Sequence, residues 1–493
     1  MDRRSFPILS SIFRIDRSGL RGDDAAEHPF LPQKATTTMD HFRKLGAPRP
    51  ATAAAATLAD APSLLRALPR ATRWGSLAAV RGSALSVEGL GGGVAIGDRL
   101  MVRRPGQPAI QGEFVAFEGQ TAVAVPEGGT EGLAPGARIW LEEPLSLSPS
   151  DAWLGRVIDG QGRPLDGGGP LPAGRRPVPL RRAAPDALRR RMVGPRLETG
   201  LRALDVFVPI CRGQRMGIFA ASGVGKSTLM GMLARNVEAD VIVVGLIGER
   251  GREVREFLDH TLGEAGRARS VVVVSTSDQP ALARRRAAQA TLAVAEHFRA
   301  EGKQVFLLLD SGTRLAHAQR EIGLAAGEPA TARSYTPSVF NELPALLERA
   351  GPGPEGEGDI TAVFTVLVDG DDHDEPIADA VRGILDGHLV LDRRIGERGR
   401  WPAIDILRSV SRSLPRCHSA EENGVLTGAR RLLGAYADMA EMIRLGAYRA
   451  GSDPLVDQAI HHQPALEAFL AQSVEECAAA GAAFARLREV LAA

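Results

Sequence analysis

Ala220-Ala221-Ser222-Gly223-Val224-Gly225-Lys226-Ser227 has the spacing of a phosphate-binding loop, with alanine at 220 where glycine is commoner. Gly223 and Gly225 let the backbone turn without a Cβ, so that its N–H groups converge on phosphate oxygens. Lys226 then reaches the β- and γ-phosphates, and the Ser227 hydroxyl is placed to ligate Mg²⁺. The flanks agree with this reading. Met216-Gly217-Ile218-Phe219 is an apolar run suited to a buried strand, and Thr228-Leu229-Met230 opens a helical pattern whose N-terminus faces the anion. A glycine-rich turn that happens to carry Lys-Ser is the competing reading. It explains neither the strand before it nor the helix after it. Only four lysines (Lys34, Lys44, Lys226, Lys303) stand among 60 basic residues, so a lysine here looks specified.

With 493 residues the chain has room for two to four domains and a large core. A hydrophobic content of 44% and a charged content of 24% are ordinary for a globular protein, and a net charge of +1 gives no hint of a polyanion partner. Three scattered cysteines (Cys211, Cys417, Cys477) fit a reducing compartment rather than a disulfide framework or a zinc cluster. No apolar stretch approaches the ~20 residues that span a bilayer. The amino terminus lacks the apolar region and cleavage site of a signal peptide.

Composition divides the chain into five. Residues 1–50 are mixed and without a period, which predicts a disordered extension. Residues 51–70 carry a helical pattern. Over 71–145, short alternating runs such as Ala122-Val123-Ala124-Val125 between Gly-rich turns predict a small antiparallel β-barrel. That barrel lacks a basic stripe with interleaved aromatics, so no nucleic-acid partner is expected. The range 146–415 is the expected P-loop α/β domain. The stretch 144–200, which leads into it, reads as a Pro-, Gly- and Arg-rich connector, with Arg181-Arg182 and Arg189-Arg190-Arg191 as solvated surface or subunit contact. Within it Val241–Val244, Val271–Val274 and Val305–Leu309 have the continuous apolar character of parallel strands covered on both faces. From 416 to 493, Leu432, Leu433, Tyr436, Met439, Met442 and Ile443, then Leu466, Phe469, Leu470 and Val474, then Phe484, Leu487 and Leu491, recur at helical spacing and predict a helical domain. His461-His462 reads as a surface pair at a helix start. The acidic run Asp369–Glu375 lacks the ligand spacing of a calcium loop, so no metal is expected there.

Asp310 ends the apolar run Val305–Leu309, and a carboxylate at that distance after a P-loop suits the Mg²⁺ hydration shell. Glu249 ends another apolar run, at the strand edge where ligands bind in open α/β sheets. It is equally readable as a water-orienting catalytic carboxylate or as a loop residue paired with Arg250 or Arg252. Arg314 is equally readable as a γ-phosphate contact or as a solvent-facing arginine.

Several further stretches form a connected set: Gly248–Phe257, Ala318–Leu324, Tyr335–Phe340, Leu346–Gly351, Glu375–Asp379, Pro402–Arg412 and Gly446–Pro454. Together they resemble the catalytic subunits of the rotary ATP synthase superfamily, and within it the flagellar type III protein-export ATPases. The resemblance implies a multidomain α/β fold with a barrel, a RecA-like P-loop domain and a helical domain. It implies that Ala221, Ser222, Gly223, Val224, Gly225, Lys226, Ser227 and Thr228 bind ATP, and that Ser227 and Asp310 support Mg²⁺. Glu249 becomes the catalytic carboxylate and Arg314 the γ-phosphate sensor. Arg412 becomes an arginine finger reaching a neighbouring subunit's nucleotide. Trp401 stands where the family usually has a tyrosine packed on adenine. Ala221, Gly312, Ser334 and Thr336 depart from the family's commoner glycine, leucine, glycine and proline. No group expected to touch nucleotide or Mg²⁺ is lost by these changes.

The resemblance further implies a cytoplasmic homohexamer lying peripherally at the inner face of the membrane. Its implied partners are a stator-like regulator bound through the N-terminal segment, export-gate membrane components, export chaperones and cargo. A virulence type III secretion ATPase, a rotary synthase subunit, an RNA-translocating hexameric helicase and a non-enzymatic nucleotide-binding subunit are the competing readings.

Overall fold

The alternating runs after residue 73 close on themselves. β1 (Trp74–Arg81), β2 (Ala84–Glu88), β3 (Arg99–Arg104), β4 (Gln107–Glu118), β5 (Thr121–Pro126) and β6 (Arg138–Glu142) form a closed barrel in the order β1-β2-β5-β4-β3-β6. The computed structural model describes residues 73–493 apart from 92, 105 and 369–374. The expected extension 1–50, the helical segment 51–70 and most of the acidic run therefore lie outside the described residues. Strand alternation points Leu77, Leu85, Val87, Leu100, Val102, Phe114 and Ile139 into the barrel, where they are buried.

β7 (Ser146–Leu147) and β9 (Val178–Pro179) pair with each other. β8 (Val157–Ile158) joins the large sheet instead. That sheet continues with β10 (Arg215–Ala220), β11 (Val241–Glu249), β12 (Ser270–Thr276), β13 (Gln304–Asp310), β14 (Gly351–Pro352), β15 (Asp359–Leu367), β16 (Gly387–Leu391) and β17 (Ile404–Ser411). The order is β17-β16-β10-β15-β13-β11-β12-β8, with β14 pairing β15 off this path. β8, β10, β11, β12, β13, β15 and β16 run parallel, while β14 and β17 are antiparallel to their neighbours. The apolar runs Val241–Val244, Val271–Val274 and Val305–Leu309 are central strands buried on both faces, as their continuous hydrophobicity predicts. Alternate residues feed two cores. Val244 and Leu246 join one that includes Leu229 and Met230 of the helix Lys226–Asn236. Val243 and Ile247 join the other, with Ala290 and Val294 of the helix Ala281–Ala300.

The C-terminal helices Ala420–Arg444, Pro454–Leu470 and Ala480–Ala492 pack on the first core through Leu426, Ala429, Leu466, Phe469, Phe484 and Leu487. The apolar stripe of the first helix is core only in its first half. Leu432 and Leu433 are buried, while Met442 is 45% exposed. Val474 lies beyond its helix and is partly exposed. His461 and His462 sit in the middle of the second helix rather than at its start, and His462 Nδ1 lies 3.0 Å from the Val490 carbonyl.

The Arg-rich stretch 144–200 also differs from expectation. It supplies the edge strand β8, and its arginines do more than face solvent. Arg190 donates to the Ala350 and Glu348 carbonyls. Arg191 donates to the carbonyls of Glu357 and Gly358 and to the Asp359 carboxylate. A guanidinium offers five donors, which suits it to tying down unpaired loop carbonyls.

Barrel and sheet are joined by buried charge. Glu113 of β4 meets Arg285 at 2.7 Å, Arg181 reaches the same carboxylate at 2.9 Å, and Arg286 pairs with Glu127. Glu113 and Arg285 are buried. Removing one member leaves the other charge desolvated and unpaired. Glu113→Ala should therefore cost about 3 kcal/mol. A clearly lowered first transition in scanning calorimetry is the expected result.

Candidate nucleotide site

The phosphate loop leaves β10 after Ala220, and Lys226 begins the helix Lys226–Asn236. Gly223 (φ +79°) and Gly225 (φ +82°) occupy the left-handed region that favours glycine. The loop and the helix N-terminus open into a cleft of about 580 Å³. Ala221, Ser222, Gly223, Gly225, Lys226, Ser227 and Thr228 line it, as do Glu249 and Arg314. Val224 is buried beneath the loop.

Two adjacent strands end at this cleft. β11 delivers Glu249 and β13 delivers Asp310, with Leu246 in register with Asp310. Asp310 is buried and accepts a hydrogen bond from Thr365 Oγ1 at 2.6 Å. The Lys226 ammonium contacts Asp310 Oδ1 and lies 3.6 Å from Glu249 Oε1. Burial, with the Asp310 charge beside it, pushes the Glu249 carboxyl up to about 7. Lys226 pulls the other way but more weakly. Glu253, hydrogen-bonded to Glu249, is held below the usual carboxylate range. Arg314 packs its aliphatic stem against Gly248, and its backbone N–H bonds Ser311 Oγ at 3.2 Å. Among the described residues its buried Nε finds no hydrogen-bond partner, and the residue lines the cleft.

The donor set fits Mg²⁺. Among the described residues no group of three or more His, Cys, Asp or Glu side chains could hold a metal ion. Magnesium needs only one or two protein oxygens when phosphates and water supply the rest. The Ser227 hydroxyl and the Asp310 carboxylate are that kind of pair, and a cation, the Lys226 ammonium, already sits on Asp310.

Trp401 lies beside the loop. A Cβ on Gly225 would come within 2.8 Å of the indole. Arg412 is not brought to the cleft. β17 runs antiparallel to β16, so Ser411 pairs with Gly387 and the Arg412 N–H bonds the Asp386 carbonyl at the entry edge of the parallel strands. The phosphate loop leaves from the exit edge. Six residues of β10 at ~3.3 Å each separate the two by about 20 Å. The exposed Arg412 therefore lies at the opposite end of the strands from its own chain's cleft.

Three participants escape sequence reasoning. Thr365 fixes Asp310, Ser277 donates its N–H to the Glu249 carbonyl at 3.0 Å, and Arg393 bonds the Ser222 carbonyl at 2.9 Å. Only Thr365 leaves a trace, as a polar residue within the apolar run Ile360–Leu367.

Comparison with known proteins agrees with this geometry. Residues 200–411 match the ATP synthase alpha/beta family, nucleotide-binding domain, and residues 419–489 match the T3SS EscN ATPase C-terminal domain. The chain is 54% identical over 438 residues to the flagellum-specific ATP synthase of Caulobacter vibrioides, covering 87% of this chain and 99% of that one. It is 47% identical to the type 3 secretion system ATPase of Xanthomonas euvesicatoria, covering 83% and 91%. The structure of the assembled ATPase EscN from enteropathogenic E. coli superimposes with a TM-score of 0.79 at 39% identity, covering 85% of this chain and all of that one. The fold and site are those of an ATP-binding P-loop ATPase. More narrowly, the chain belongs to the family of flagellum-specific ATP synthases and type III secretion ATPases.

Glu249 in the fold keeps its proton to about pH 7, against an ordinary value of 4.5. A carboxyl raised in this way contributes stability fully below pH 4.5 and loses it as pH rises through 7. Glu249→Gln, neutral throughout, should gain on the unmodified protein as pH rises. The difference in melting temperature should be larger at pH 8 than at pH 5, and an equal difference at both would contradict the assignment.

Proposed function

We propose that this protein hydrolyses MgATP at the interfaces of a homohexameric ring and thereby energises export of flagellar proteins, working peripherally at the inner face of the cell membrane. The observation that carries the reading is the Lys226 ammonium beside the phosphate loop, set between Glu249, which lines the cleft, and the buried Asp310. Relatives named flagellum-specific ATP synthase from Caulobacter vibrioides and Bacillus subtilis, 54% and 46% identical, support the flagellar assignment.

In this mechanism the loop amides and Lys226 bind the β- and γ-phosphates. Ser227 and Asp310 hold Mg²⁺, which neutralises phosphate charge when bound. Glu249 orients a water in line with the γ-phosphate and takes its proton. The water oxygen–phosphorus bond forms as the bond to the β-phosphate oxygen breaks, giving ADP and phosphate. A carboxyl titrating near 7 is matched to that transfer. Arg314 donates to the γ-phosphate. Arg412 of the neighbouring copy stabilises the spreading charge, a contribution worth roughly 10³-fold or more. The placement of Arg412 far from its own cleft supports a role in trans.

Active sites shared between copies make turnover per chain rise steeply with protein concentration. Mixing Glu249→Gln with Arg412→Ala protein should recover part of the activity that each lacks alone. Full activity in an isolated single chain, with no recovery on mixing, would defeat the reading.

One solved relative is titled as EscN in complex with its central stalk EscO. A regulator contact through the N-terminal segment is proposed here by extension. Deleting residues 1–68 should weaken binding of such a regulator, measured by pull-down of the cognate protein, and leave ADP affinity intact.

A further inference from the structure

Trp401 is held from behind. The residue is 45% exposed, and its indole is fitted against two glycines. A Cβ on Gly225 would lie 2.8 Å from the ring, and one on Gly396 would lie 2.7 Å from it. Its carbonyl accepts the N–H of Gln472 at 2.8 Å. Gln472 belongs to the segment between the helices Pro454–Leu470 and Ala480–Ala492, so the helical domain grips this residue directly.

That segment is itself pinned at several points. Gln472 is 6% exposed. Its Oε1 accepts the Arg202 N–H at 2.9 Å, and its Nε2 donates to the Gly200 carbonyl at 2.7 Å and to the Glu476 carbonyl at 2.9 Å. Arg202 is 3% exposed. Its Nε donates to the Phe469 carbonyl at 2.8 Å, its Nη2 to the Ala471 carbonyl, and its guanidinium pairs with the Glu476 carboxylate. Phe469 and Ala471 sit at the end of a helix, where carbonyls lack intrahelical donors and a cation is favourable. Arg235, in the last turn of the helix that begins with Lys226, donates to the Val474 carbonyl at 3.0 Å.

ATP whose phosphates lie on the loop amides must extend its nucleoside past the loop. The half-exposed aromatic face beside Gly225 is that of Trp401. We propose that Arg202 and Gln472 are positioning residues that hold Trp401 against the phosphate loop and so set how tightly the nucleoside end of ATP binds. The proposal rests on the ATPase reading above for its substrate. It assigns no catalytic step to either residue.

The phosphate end is gripped independently, by the loop and Lys226. Loosening the clamp therefore weakens nucleoside binding and spares phosphate binding. The test uses the full chain carrying Gln472→Ala, Arg202→Ala or Arg202→Lys. The readouts are ATP turnover, competitive inhibition by ADP and by inorganic triphosphate, and the tryptophan fluorescence change on ADP titration, assigned to Trp401 by its loss in Trp401→Phe. Gln472→Ala and Arg202→Ala should raise KM for ATP and Ki for ADP about tenfold, with kcat within twofold and Ki for inorganic triphosphate unchanged. The ADP fluorescence midpoint should shift by the same factor, and Arg202→Lys should recover part of it. Should Arg202→Ala fail to fold, Gln472→Ala decides, since it leaves the Arg202 guanidinium and its carbonyl partners in place. An unshifted ADP midpoint in folded Gln472→Ala overturns the proposal. So does an equal loss against triphosphate, which would mean general damage. The fluorescence titration needs binding only, so it stands apart from whether the unmodified chain turns over ATP, which is the test of the parent reading.

Discussion

Two carboxylates at neighbouring strand ends, and one lysine between them, are the constraint on which this molecule turns. Glu249 and Asp310 are both largely sheltered from water, and like charges so placed cannot both ionise without a cation. Lys226 supplies it from the first position of the helix that follows the phosphate loop. Asp310 stays fixed because Thr365 donates to it, while Glu249 carries the strain of the pairing as a raised proton affinity. The arrangement prepares Glu249 to exchange a proton near neutrality. It follows from strand order, since β11 and β13 are adjacent and β11 continues past the level of Asp310 to end in Glu249.

The rest of the fold serves that junction. A parallel sheet brings every strand's exit end to one edge, which is why loop, Glu249 and Asp310 meet although they are scattered over ninety residues. The helix Ala281–Ala300 backs the sheet and, near its start, holds the barrel through Arg285 and Arg286. The helical domain backs the opposite core and, through Gln472, touches the residue that flanks the loop. Barrel and helical domain are thus each anchored to the sheet by buried polar contacts rather than by apolar area alone. Such contacts fix geometry more than they add stability.

Much of this was legible because the informative residues are chemically unusual where they stand. A lysine in an arginine-rich chain, glycines at fixed spacing and carboxylates ending apolar runs all announce themselves. The central strands were equally plain, because burial on both faces leaves no polar residue to blur the pattern. What sequence hid depends on the third dimension. β8 has two residues, too few for any periodicity, yet it closes the sheet. Arg190 and Arg191 read as a solvated charge run, since their carbonyl partners lie about 160 positions away. The His461-His462 pair lies mid-helix rather than at a helix start, because the helix already begins at Pro454 and runs on through Pro464. Glu249 and Arg314 could be weighed but not decided from spacing. Their shared cleft is a property of strand neighbours, which no local pattern encodes.

The reversed direction of β17 has a geometric corollary. It puts the exposed Arg412 and the cleft at opposite ends of the strands. Were the arginine of one copy to complete the cleft of the next, the contact would be heterologous, the back of one chain set against the front of another. Contacts of that kind would run in one sense around a closed ring and so give it a polarity that a two-fold pair lacks.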